Sequence, residues 1–476
     1  MNRLNHNHLF WIITLGIAFS LTLPVLIQDG MFMDGELYAA VSHNLANGIG
    51  TFWFPYFSHN NIAGIANSFH EQPPLFFAFQ SIFFKVLGSS LYVERFFTFL
   101  MFLASIFLIS KLWKLINLDN IELQKLSWLP VLLWSIIPVC FWSYSNNMIE
   151  NMLTVIVLLN VILQLTPFFK PTDTKKTYLY FILSGLLLFT GFLTKGLPAL
   201  FPVVLPFILA YFFNKYTYME ATRHFLIMII TFFMCLVLVL LSEAGKESLY
   251  NYVFLRLFNR VQNVPTTANR FDTLYRLLTE LIIPFVFVFI VKFYGKGNFK
   301  DLNNRPMVIT FLFLGLSGII PLLLTMVQKG FYMVPALPFF SISLSIYVAS
   351  DINRIVASGN KIFKLMTKSF AIITPVLLFT LLLINFGGYA RDEEKLKDLK
   401  LISLKIPEKT IFQCSPSILE DWSLRTYGAR YYYYGFETEK NEHHYFITTK
   451  DVNISLDTSY KKMNFETNFY EVYSVN

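Results

Sequence analysis

Eleven apolar runs follow one another at 9–28, 92–112, 127–145, 149–169, 178–194, 197–213, 224–242, 279–294, 307–327, 331–350 and 369–389. Each is near or above the roughly 17 residues that a helix needs to cross hydrocarbon. No other feature constrains the fold as strongly, because in lipid every backbone N–H and C=O must be satisfied within the protein itself. Only helices and closed barrels meet that condition, and runs of this length read as helices. The sequence therefore predicts an all-α polytopic membrane protein with about eleven transmembrane helices and thirteen as the upper count. Composition agrees: of 476 residues 55% are hydrophobic and 14% charged, against roughly 25% charged in soluble domains. The run at 9–28 is longer than a signal h-region and no small-residue cleavage site follows, so it is expected to stay as the first helix. The run at 75–87, LFFAFQSIFFKVL, is too short to cross unaided and is expected to lie as a half-helix or interfacial segment.

Counting charges fixes an orientation. With the amino terminus inside, the inner stretches carry seventeen Lys and Arg against nine on the opposite side, the tail excluded. Cationic loops stay cytoplasmic, so the bias favours this topology. If 75–87 also crossed, every later loop would change sides and the bias would reverse. The exceptions are informative, since five of the nine outer cations, Lys246, Arg256, Arg260, Arg270 and Arg276, crowd the loop 244–276. A cationic loop beside lipid suggests an anionic ligand. The net charge of +8 is used in this way for topology and gives no reason to expect nucleic acid. Cys140, Cys235 and Cys414 have no metal-ligand spacing and form no disulfide framework.

The first outer loop, 29–73, contains Asp29, Asp34, Glu36 and Glu71 and no Lys or Arg. Within it MDGELYAAVSHNLANGIG reads as a short amphipathic helix, with Leu37, Ala40, Val41 and Leu45 at helical spacing, Asp34 at the N-cap and Gly48 at the C-cap. From residue 391 the chain turns polar. The expected division is a transmembrane domain, 1–390, that includes the outer loop 29–91 and its juxtamembrane helices, and a small soluble α/β domain, 391–476. In that domain YYYYGFE and HHYFITTK read as strands.

This topology gathers ionisable groups of both signs at one face: Asp34, Glu36, His70, Glu71, Glu150, Lys195, the 244–276 cations and Lys329. A carboxylate there can deprotonate a hydroxyl, and cations can neutralise a phosphate. Each also has a plainer reading. Asp34 can cap its helix, Glu36 can be a solvated first-turn acid, His70 an interfacial histidine, Glu71 an interfacial anchor, and Lys195 a snorkelling side chain.

The order DGELYA, HEQPPL, LGSSLYVERFFTFL, then Glu150 in ENMLTVIVLLN, TKGLPALFP and KGFYMVPALPF resembles the GT-C glycosyltransferases of the protein O-mannosyltransferase and aminoarabinose transferase type. These motifs, in order, span about 310 residues. Two departures stand out. Gly35 separates two acids that are often adjacent in that family, and Gln72 replaces a Lys found in the aminoarabinose branch.

The resemblance implies an integral membrane enzyme that takes a sugar from a polyprenyl-phosphate donor, with Asp34 and Glu71 catalytic. Glu36, His70, Glu150, Lys195, Arg256, Arg260, Arg270, Lys329 and Tyr332 are then expected to bind substrate. The acceptor is expected to be a lipid, glycan or protein. Some GT-C enzymes use a divalent metal, but no dedicated metal cluster is visible in the sequence. A lipid-linked sugar transporter or flippase, a non-catalytic glycolipid-binding subunit and a membrane glycan ligase remain alternatives. The style of the sequence suggests a bacterial inner membrane, with the site and the tail periplasmic. One cavity in one chain is compatible with a monomer.

Overall fold

The computed structural model describes residues 6–58, 68–214, 216–258, 265–295, 297, 304–358, 361–438, 443–452 and 459–475. Helix α1 (His6–Leu26) is followed by two short helices, α2 (Met33–Ala46) and α3 (Leu75–Leu87), and by α4 (Val93–Ile116). Next come the single turn α5 (Ile121–Gln124), then α6 (Trp128–Ser135), α7 (Pro138–Ser145), α8 (Ile149–Phe169) and α9 (Thr174–Lys195). A 3₁₀ stretch, Leu197–Val204, runs into α10 (Leu205–Phe212), followed by α11 (Tyr218–Leu240) and α12 (Glu243–Tyr250). The remaining bundle helices are α13 (Asp272–Glu280), α14 (Ile282–Tyr294), α15 (Arg305–Ile319), α16 (Leu337–Ala357) and α17 (Lys361–Asn385).

Among the described residues eight helices are long and apolar enough to cross a membrane, and two bent pairs, 121–145 and 272–294, raise the number to ten if each is one span. The chain is thus a multi-pass membrane protein. Connectivity identifies one more crossing. Asp29, after α1, bridges Tyr389, after α17, in parallel register, so the first and last spans point the same way and the total is odd. Two shorter apolar stretches are left, Leu75–Leu87 and Leu197–Phe212; the thirteen α residues of the first rise only about 20 Å, and the second is the longer. Its eight 3₁₀ residues rise about 2.0 Å each and its eight α residues about 1.5 Å each, which together give about 28 Å, close to the ~30 Å of a hydrocarbon core. Pro198, Pro202 and Pro206 explain the 3₁₀ form, since each lacks the N–H of an i→i−4 bond.

Residues 393–475 build the second unit, with α18 (Glu393–Ser403), α19 (Pro416–Glu420) and α20 (Trp422–Tyr432). Five strands, β1 (Ile411–Cys414), β2 (Gly435–Glu437), β3 (Tyr445–Thr449), β4 (Tyr460–Lys462) and β5 (Tyr470–Val475), form a sheet in the order β2-β1-β3-β5-β4. Strand β1 is parallel to β2 and β3, and β5 is antiparallel to its neighbours β3 and β4. HHYFITTK contains β3 as expected. YYYYGFE does not form one strand: Tyr431 and Tyr432 end α20, Tyr433 turns the chain with a positive φ, and only Gly435–Glu437 pair. A tyrosine run has strand propensity, but here tertiary packing of Tyr427 and Tyr431 on one helical face prevails.

Candidate active site

The site begins at the amino end of α2. Its N-cap is Phe32 rather than Asp34, because the Phe32 N–H is taken by Asn146 Oδ1 at 2.9 Å and the helix starts there. Asp34 therefore lies in the first turn, where the helix dipole favours a negative charge. Gly35 explains the spacing of the acids. A Cβ at that position would stand 1.9 Å from the Asn146 carbonyl oxygen, so only glycine lets α2 press against the α7–α8 turn. Asn147 Nδ2 donates to the Gly35 carbonyl at 3.0 Å and Asn147 Oδ1 accepts from Gln80 of α3 at 2.7 Å. Three segments are thereby pinned together just ahead of Glu150.

Glu150, in the first turn of α8, pairs with Lys195, the last residue of α9, at 2.8 Å, and both are buried (1% and 7% exposed). The Lys195 ammonium also lies 5.1 Å from the centre of the Tyr332 ring, which belongs to the 3₁₀ stretch Gly330–Ala336 ahead of α16. Asp34 and Tyr332 act electrostatically on the same ammonium. Gly196, with φ +78°, ends α9 and leaves room for Tyr252, whose hydroxyl donates to the Lys195 carbonyl at 3.3 Å.

Tyr38, one turn after Asp34 and buried, is the residue that sequence reasoning missed. Burial pushes its hydroxyl well above the ordinary range, and Asp34, Glu150, Tyr332 and Glu71 push it the same way. The i,i+4 spacing of Asp34 and Tyr38 within DGELYA was the available signal.

Glu71 is paired with Arg256 of the π-helical segment Asn251–Phe258. His70 is bonded to Ser68 at 2.7 Å and stands 3.5 Å from the Ser248 hydroxyl, and burial lowers its pKa to about 4. It is a neutral link between the outer loop and α12. Arg270 and Lys329 are exposed, and Arg260 lies outside the described residues. Glu36 is turned away from Asp34: two residues along a helix is about 200° of rotation. It is fully buried among Glu94, Arg95, Arg430 and Asp29, so the expectation that it faces substrate is corrected by helix phase. Among the described residues no three His, Cys, Asp or Glu side chains gather as for a metal.

No family model and no curated protein matches the sequence. Solved structures do share its fold, a bundle of apolar helices followed by a small domain with a sheet. The particular likeness is to ArnT from Cupriavidus metallidurans. In the apo state it is 11% identical, with a TM-score of 0.67 over 98% of this chain and 97% of that one. The form bound to undecaprenyl phosphate is 11% identical, with a TM-score of 0.64 over the same shares of the two chains. The apo oligosaccharyltransferase of Archaeoglobus fulgidus is 12% identical, with a TM-score of 0.50 over 89% of this chain and 60% of that one.

Proposed function

We propose that this protein is a membrane glycosyltransferase that moves a sugar from a polyprenyl-phosphate donor to an acceptor hydroxyl or phosphate at the periplasmic face of a bacterial inner membrane, inverting the anomeric centre. The observation that carries the reading is the buried Lys195–Glu150 pair, set at span ends within electrostatic reach of Asp34 and beneath the Tyr332 ring. A desolvated cation at that depth suits a lipid phosphate, because the donor's tail stays in the bilayer. The ArnT structure bound to undecaprenyl phosphate supports the same donor class.

In this mechanism Asp34 takes the proton of the acceptor as its oxygen attacks the anomeric carbon. The bond from that carbon to the phosphate oxygen breaks, and polyprenyl phosphate departs with the electron pair. Lys195 and Arg256 neutralise the leaving group, with the exposed Lys329 and Arg270 completing the cationic side. Glu150 holds Lys195, Tyr38 and Tyr332 wall the pocket, and Glu71 controls Arg256 by pairing with it. Every step is assigned to side chains, since Glu150 and Glu71 are already engaged by cations and offer a poor donor set for a metal.

The test is transfer from a panel of radiolabelled polyprenyl-phosphate sugars by the purified protein, with and without EDTA, alongside Asp34→Asn. Release of polyprenyl phosphate and a loss of at least about 10²-fold in the variant are expected for a general base. Wild-type protein that transfers nothing but moves lipid-linked sugar across vesicles would make it a transporter.

A further inference from the structure

We propose that the C-terminal domain is a positioning element for α2: the tyrosines of α20 hold the residues that lead into that helix, Arg430 holds the start of α4 beside it, and together they fix the side on which Asp34 meets the Lys195–Glu150 pair. The inference rests on the reading of Asp34 as the base.

The grip is specific and buried. Arg430 Nη2 reaches Glu94 Oε2 at 2.8 Å with both side chains almost fully buried, and it also donates to the carbonyls of Ser90 at 3.0 Å and, through Nη1, Ser89 at 3.3 Å. The other oxygen of Glu94 meets Arg95 Nη1 at 3.2 Å, and Arg95 Nη2 lies 3.6 Å from Asp29. The Tyr431 hydroxyl donates to Asp29 Oδ1 at 2.9 Å. The Tyr427 hydroxyl stands 2.9 Å from the Met31 carbonyl and accepts from the Met31 N–H at 3.0 Å. One helix of the domain thus ties down Asp29 and Met31, ahead of Asp34's helix, and the start of α4. Farther along α2, His43 Nε2 is 3.1 Å from the Tyr433 hydroxyl. His43 is seven residues after Glu36, on the same face.

Glu36 sits at the centre of this contact, and neither of its oxygens has a hydrogen-bond partner among the described residues. The groups facing it are Glu94 and Arg95 from α4, Arg430, Tyr427 and Tyr431 from α20, and Asp29. Three carboxyls against two guanidiniums balance only if one carboxyl keeps its proton, and Glu36 is the one without a donor. Its pKa is accordingly raised from an ordinary 4.5 to about 8, by burial first and then by Glu94. Folding and docking favour the protonated form, so this contribution to stability is complete below about 4.5 and is lost as pH rises to about 8.

The experiment uses the full-length protein in nanodiscs, with steady-state transfer from the donor selected above and hydrogen exchange on α2. Arg430→Ala is expected to lower kcat at least about 10-fold while donor KM stays within about threefold, with lost protection at the α2 amides. Arg430→Lys should recover part of both. An unchanged kcat, a KM rise that accounts for the whole loss, or unchanged α2 protection would overturn the proposal. Should Arg430→Ala fail to fold, Glu36→Gln decides. It is expected to keep kcat at pH 7 within about threefold and to flatten the fall of thermal stability between about pH 5 and 8. A loss of 10-fold or more at pH 7, or a persisting slope, would contradict it. Asp34→Asn with full activity would sink the base reading, yet leave the exchange result standing, so the two fail separately.

Discussion

Lys195 and Glu150 form a buried ion pair. Removing one partner of a buried pair strands the other, at a typical cost of about 3–5 kcal/mol, whereas replacing both with apolar groups is often nearly neutral. Glu150→Met is therefore expected to lower the unfolding midpoint sharply, and Glu150→Met with Lys195→Met to recover most of that loss while abolishing transfer. A double variant no more stable than the single one would mean that the pair contributes little. At this scale Asp34, Glu150, Lys195 and Tyr332 were legible because polar residues at the ends of apolar runs are conspicuous. Glu36 was not, since residues 35–44 are buried on every side and an apolar stripe cannot then reveal which way an acid points. Arg430 was not either: its partner Glu94 lies 336 positions away, and no local pattern encodes such a pairing.

The element that most rewards attention is the proline-spaced span Leu197–Phe212. Its length in residues suggested a marginal crossing, and its 3₁₀ geometry supplies the missing reach, a conversion that hydropathy alone does not reveal. Its crossing decides the sidedness of everything between α11 and α15. A cysteine at Asn214 should therefore resist an impermeant thiol reagent added outside, and one at Glu247 should react, in a background free of Cys140, Cys235 and Cys414. Labelling at Asn214 from outside, with Glu247 protected, would remove 197–212 from the count of spans. By contrast α3 was readable to the residue, as 75–87, because its flanking Pro74 and Gly88 are strong boundary signals.

In the whole molecule the bundle and the C-terminal domain meet on α2, which presents one face to each. Removal of residues 391–476 is expected to abolish transfer while Lys195 and Tyr332, held by α9 and the start of α16, still bind donor. Filter binding of a radiolabelled polyprenyl phosphate to the truncated protein checks this, and loss of binding in step with transfer would refute it. The bundle itself was legible because lipid enforces long apolar helices. The domain was less so, since its short strands are defined by pairing across the sheet rather than by their own alternation. The grip of Tyr427 on Met31 spans 396 positions, and that distance is also an interval of time. At about 5–20 residues per second, synthesis takes on the order of 20–80 s to traverse it. Throughout that interval the acidic helix is already made but its clamp is not. On the proposal that this clamp positions α2, the helix waits through that interval for the domain that holds it.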